Sequence, residues 1–200
     1  MFLVRKAALK PVPKWAVVDE NAIASVEETL GDDTDQGGTD VQLQTALDAA
    51  YREMDRLQPV MARYLAEAVA ERDDDLAQSV GYFLIVTVHM AFREAFPTRL
   101  GVVDEDALQI AIDTLDADEE LRKDDPAEMM ESDDVVAMTQ PPLLNFVQHH
   151  IEQALEQAGE APDLSAFDHI YRAVLVEVVA LSHAVAPPEG VASPNIAGMS

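Results

Sequence analysis

Two hundred residues with 48% hydrophobic side chains can build one domain around a substantial core, and the absence of cysteine excludes disulfides, thiolate chemistry and cysteine-based metal sites. The formal net charge is −25, from 13 Lys and Arg against 38 Asp and Glu. That charge disfavours direct binding to nucleic-acid phosphates or to anionic membrane surfaces, and it favours a basic protein partner.

The charge is uneven from the start. Arg5, Lys6, Lys10 and Lys14 face no acid within residues 1–14, which leaves a net of −29 on the rest of the chain. Residues 1–18 read as a short extended basic N-terminal arm carrying Trp15. Its apolar pieces are too short for a signal peptide. A first helix is predicted over Asp19–Leu30, with Ala22, Ile23, Val26 and Leu30 on one face and Gly31 as its stop. Residues 31–39 have the composition of a loop.

From Leu43 to Ala68 the apolar residues Leu43, Leu47, Ala50, Met54, Leu57, Met61, Tyr64 and Ala68 alternate spacings of four and three. This is a heptad seam on a long helix. Thr39 and Gln42 fit a capping box at its start. Pro59 is expected to kink the helix, because the seam stays in phase across it. Core packing within the chain accounts for the seam, and the same stripe would serve a homodimer or a partner helix.

Asp73, Asp74 and Asp75 offer caps to a helix reaching Phe96. Its middle, Gly81–Phe92, is apolar on nearly all sides and reads as a central buried helix, with a strand as the competing reading. This apolar run is too short to span a bilayer. With no membrane or secretory signal, the expected location is the cytoplasm. Pro97 ends the helix, and another is predicted over Asp104–Leu115. Residues 113–134 hold 11 acids against Arg122 and Lys123 and read as a solvated stretch, with a short helix after Asp125 and Pro126. Two helices follow, Pro142–Ala158 and Asp163–Ala186. Residues 187–200 read as a disordered tail. No internal repeat is evident. The expected fold is all-α, a single bundle of five or six helices spanning residues 19–186, with any subdivision falling near 116–139.

No site motif is complete. Asp33 and Asp35 resemble the front of a calcium loop, but Gly37, Asp40 and Gln44 stand where further ligands or an apolar residue belong, so a polar loop is the plainer reading. His149, Glu152 and Glu156 share a helix face and would need further ligands from elsewhere to hold a metal; a solvated face explains them as well. His89, in the most apolar segment, reads as a buried, hydrogen-bonded imidazole rather than a catalytic base. Ser165 and His169 stand four apart, but Asp168 points about 100° away from His169 and cannot orient it. With no catalytic or cofactor motif, no metal or cofactor is expected, and the chain reads as a non-catalytic acidic helical interaction protein, an adaptor, inhibitor, immunity-type protein or scaffold. Its partner-binding residues are expected to be Asp118, Glu119, Asp124 and Asp125 in the acidic stretch. The alternative is an enzyme or small-ligand binder with a pocket between helices. A polar pocket containing His89 or Tyr82 would favour that alternative, and a broad acidic face without a pocket the first reading.

Overall fold

Proline and aspartate set most of the helix boundaries. The computed structural model describes residues 12–35, 40–124, 139–158 and 162–190, in which a 3-10 turn at Lys14–Ala16 precedes seven α-helices. They are α1 (Glu20–Asp35), α2 (Asp40–Leu57), α3 (Pro59–Ala70), α4 (Asp75–Ala95), α5 (Glu105–Asp124), α6 (Pro141–Gln157) and α7 (Leu164–Ala184). Four aspartates cap helix starts. Asp19 accepts from Ala22 N, Asp74 from Ala77 N, Asp104 from Ala107 N, and Asp163 from Ser165 N and Ala166 N. Each satisfies backbone donors that a helix start leaves orphaned. The chain is all-α, but the expected count of five or six helices falls short.

Pro59 supplies one extra helix. It was expected to kink a continuous helix; instead Gln58 leaves the helical region at φ −133°, ψ 56°, and a new helix begins. Proline drives the preceding residue out of the α conformation, so the hydrogen bond it cannot donate falls at a helix boundary. The seam still packs inward on both sides of the break. Leu47, Met54, Met61 and Ala68 are buried, and Leu43, Ala50 and Tyr64 pack against the core. Intrachain packing therefore accounts for the heptads.

Other boundaries also move. α1 runs through Gly31 to Asp35, into the expected loop, and α5 continues past Leu115 into the acidic stretch. Gly81–Phe92 is helical. Thr39, the helix expected after Asp125 and Pro126, and the tail from residue 191 lie outside the described residues. The N-terminal segment is no free arm from residue 12 on, because Val12, Ala16 and Val18 are buried and Trp15 Nε1 donates to Val185 O at 3.1 Å.

α4 and α7 form the centre of the bundle. A Cβ on Gly81 would lie 2.9 Å from Ile170 Cδ1, 3.0 Å from Ile170 Cγ2 and 3.2 Å from Val69 Cγ2, so α3, α4 and α7 meet there at close range. Beyond their far ends, Leu100 and Val185 form an antiparallel bridge, with Gly101 N donating to Ala184 O and Ala186 N to Arg99 O. The two central helices thus run parallel. Over its full 21 residues α4 is long and apolar enough to cross a membrane, more than its apolar run alone suggests. Of its most apolar 18-residue stretch, 56% is buried inside the bundle, as in a core helix. Gly81→Val is expected to lower stability by about 1–3 kcal/mol, since it forces Ile170 and Val69 aside. Gly81→Ala should cost less, because better helix propensity returns about 1 kcal/mol. Urea unfolding of the two variants checks this order.

The structure also contains a repeat that the sequence hides. Gln58 precedes Pro59, and Gln140 precedes Pro141, with nearly the same backbone angles (φ −136°, ψ 51° at Gln140). Gln58 Nε2 donates to Gly101 O at 2.8 Å, and its Oε1 accepts from Val103 N at 2.7 Å. Gln140 Nε2 donates to Ala16 O at 2.6 Å, and its Oε1 accepts from Val18 N at 2.9 Å. Each glutamine clamps the segment that leads into the first helix of the other half. The segments themselves match: residues 16–30 (AVVDENAIASVEETL) and 101–115 (GVVDEDALQIAIDTL) are identical at seven of fifteen positions. Packing follows the same exchange. α1 lies on α4 as α5 lies on α7, and α3 touches α7 and α5 as α6 touches α4 and α1. Among the described residues, α1, α3 and α4 thus repeat as α5, α6 and α7, with the α4–α7 contact at the junction of the two interlocked sets and α2 without a described counterpart.

Candidate functional site

Most residues singled out from sequence prove structural. Asp33 and Asp35 lie in helix α1 rather than in the expected loop, and a calcium loop needs non-helical backbone at these positions. Gln44 is engaged with Asp48 at 2.7 Å. His149, Glu152 and Glu156 are exposed on α6. Among the described residues no group of three His, Asp or Glu could hold a metal ion. Ser165 is exposed in the first turn of α7, where its N–H meets Asp163, and His169 Nε2 lies 3.1 Å from Oε2 of Glu71, the residue that follows α3. The structure therefore does not bring Ser165, His169 and Asp168 together as a catalytic set. Tyr82 donates to Asp48 Oδ1 at 2.9 Å, tying α4 to α2. Burial, then that bond, pushes the Tyr82 hydroxyl above its ordinary range.

A polar cavity of about 180 Å3 does contain His89. Three elements build it. The α2–α3 break brings Leu57 and Gln58, the last turns of α4 bring His89, Arg93 and Phe96, and the following loop brings Leu100, Gly101 and Val102. The Gln58 clamp holds that loop in place. His89 is only 2% exposed and its Nε2 has no hydrogen-bond partner, so the expected buried imidazole is present but its expected bond is missing. Burial, reinforced by the Arg93 charge and opposed by Glu53, lowers its pKa to about 4. The ring is neutral at neutral pH. Arg93 is half-buried and pairs through Nη1 with Glu53, which also lies near Arg56. The lining has no hydroxyl, thiol or carboxylate, and its polar side chains are the Gln58 amide, the His89 imidazole and the Arg93 guanidinium.

Sequence reasoning missed Gln58 and Arg93. The signal for the first was the Gln-Pro pair, which recurs at Gln140. It also missed Glu177, at the centre of the apolar run AVLVEVVAL. Glu177 is 0% exposed, and neither carboxyl oxygen has a partner. Burial raises its pKa well above the ordinary value.

The residues expected to meet a partner are only partly visible. Asp118, Glu119 and Asp124 belong to α5, where the backbone alone is described, and Asp125 lies outside the described residues. The described arginines are largely committed elsewhere. Arg56 and Arg93 share Glu53, Arg63 reaches Glu105, and Arg172 pairs with Asp116. No family model, curated protein or solved structure matches this chain.

Proposed function

We propose that this chain is a non-catalytic acidic helical interaction protein, an adaptor, inhibitor, immunity-type protein or scaffold, that binds a basic protein partner. The observation that carries the reading is the charge balance. Four of the described arginines, Arg56, Arg63, Arg93 and Arg172, pair with acids of the chain itself, and the net charge stays at −25. A surplus of one sign steers cationic surfaces from a distance and contributes little to the fold. The acid-rich stretch 113–134 and the exposed side of α6 are the proposed contact face, with Asp118, Glu119, Asp124 and Asp125 at its centre.

The expected result is salt-sensitive capture of basic proteins from cell lysate. Binding should fall steeply between about 50 and 500 mM salt, as the Debye length shortens from roughly 14 to 4 Å. Reversing the four acids to lysine should abolish capture while circular dichroism stays unchanged. If the captured proteins are not basic, or the reversed variant captures the same set, the acidity serves solubility alone.

The alternative, a small-ligand binder with a pocket between helices, is favoured by one observation: the unpartnered His89 nitrogen beside a polar cavity.

A further inference from the structure

We propose that the cavity between Gln58, His89 and Arg93 binds a small monocarboxylate with a short apolar body. This site is separate from the acidic face and stands whether or not that face meets a partner.

The two halves of the molecule supply the argument. Capped by Asp74 and Asp163, α4 and α7 align so that Arg93 takes the place of Ser182 and His89 that of Val178. In the second half, Gln140 Nε2 has two acceptors, Ala16 O and Ser182 Oγ at 2.9 Å. Ser182 in turn donates to Val178 O, and every group there is buried. In the first half, Gln58 Nε2 has one acceptor, Gly101 O. Among the described residues no second acceptor meets that amide nitrogen, and Gln58 lines a cavity. One copy of the clamp is closed by the protein, and the other is left open.

The open copy collects donors. Gln58 offers an amide hydrogen. Arg93 has an ion-pair partner at Nη1, and among the described residues no acid lies at its second edge. His89 lines the same cavity, and its unpartnered Nε2 is itself buried, so a neutral ring with the proton there donates to a ligand only after a small turn of the ring. A carboxylate is an acceptor-only group with two oxygens, and it matches a guanidinium edge and an amide hydrogen together. The remaining wall, Leu57, Phe96, Leu100 and Val102, is apolar and suits a few methylenes. A volume of about 180 Å3 is below the usual range for drug-sized ligands and suits a small one. The field of an acidic protein repels multiply charged anions more than a single charge. The C-terminal end of α4 also opposes an anion, and Arg93, with Arg99 held over the Phe96 ring at 4.9 Å, offsets it.

The test uses the full chain with sodium acetate, propionate and butyrate, and with butan-1-ol and sodium chloride as controls. The readout is the His89 ring resonance by NMR, assigned from its loss in His89→Gln, alongside calorimetry. Propionate or butyrate should move that resonance saturably, with Kd on the order of 1 mM. Arg93→Met should weaken binding by about tenfold or more. Glu53→Gln frees the guanidinium and should tighten binding several-fold, an opposite sign that does not depend on Arg93→Met folding well. The proposal is overturned if the resonance does not move, if butan-1-ol moves it equally, or if Glu53→Gln binds no more tightly than the parent.

Discussion

Glu177→Met is expected to stabilise the protein, by more near pH 8 than near pH 4, on the scale of the about 1–4 kcal/mol gained when buried charged groups are replaced by apolar ones. Glu177 stands seven residues beyond Ile170 on α7, and hence on the same face, the one turned toward α4. The corresponding residue of α4 is Val88, which is also buried. A carboxyl with no partner in such a place keeps its proton, because desolvation penalises the charged form. The direction of the pH effect follows. Below the ordinary value of 4.5 both folded and unfolded chains carry the proton, and Glu177 adds no pH dependence. Above it the unfolded chain releases the proton while the folded chain retains it. Stability then falls by about 1.4 kcal/mol per pH unit until the raised folded pKa is reached. Methionine has similar volume and nothing to ionise, so it removes both this loss and the unsatisfied oxygens. Glu177→Gln should remove the pH dependence but gain less, since a buried amide still lacks partners. Urea unfolding of parent and variants at pH 4.5, 6 and 8 gives the difference directly. A difference that does not change with pH would show that Glu177 is ionised in the folded chain.

The helices themselves were legible in the sequence, because capping and periodicity are local. Asp74 and Asp163 begin helices next to where their positions suggest, and the apolar faces of 75–96 and 163–186 point inward. The break at Pro59 was not legible, because a seam that stays in phase looks the same whether its helix is kinked or divided. Gln58 and Gln140 were illegible for a different reason. Their partners lie 43, 45, 122 and 124 residues away, and a buried glutamine satisfied at that distance leaves no periodic trace. The repeat hid because its conserved elements, an aspartate cap and a Gln-Pro pair, recur at unequal intervals. Asp19 maps to Asp104, Gln58 to Gln140 and Asp74 to Asp163. As for the cavity, the sequence pointed to His89 as a buried ring. It could not show that Gln58 and Arg93 come to the same place, since that depends on the helix break.

Gln140→Leu is expected to be among the most damaging single substitutions in the chain, at about 3–5 kcal/mol. Gln140 is 0% exposed and carries three hydrogen bonds joining the N-terminal segment, the start of α6 and the last turn of α7. Leucine fills similar space but strands Val18 N–H and Ala16 C=O, and both of those residues are fully buried. Each stranded group costs about 1–3 kcal/mol. Ser182 suffers less, because its hydroxyl still donates to Val178 O. Gln58→Leu makes the same chemical change in the other copy and should cost less, about 1–3 kcal/mol. There only Val103 N–H is stranded in the interior, while Gly101 is exposed and its carbonyl can turn to water. Gln140→Glu separates the two ends of the amide. Its oxygen can still accept from Val18 N, but an ionised carboxylate cannot donate to Ala16 O and would sit against it in the core. That variant should unfold more readily at pH 8 than at pH 4.5, where a protonated carboxyl can donate again. Thermal and urea unfolding of the three variants decide the matter. Equal losses for Gln58→Leu and Gln140→Leu would mean that the open cavity beside Gln58 does not loosen its clamp, and that the two copies bear the same load despite their different surroundings.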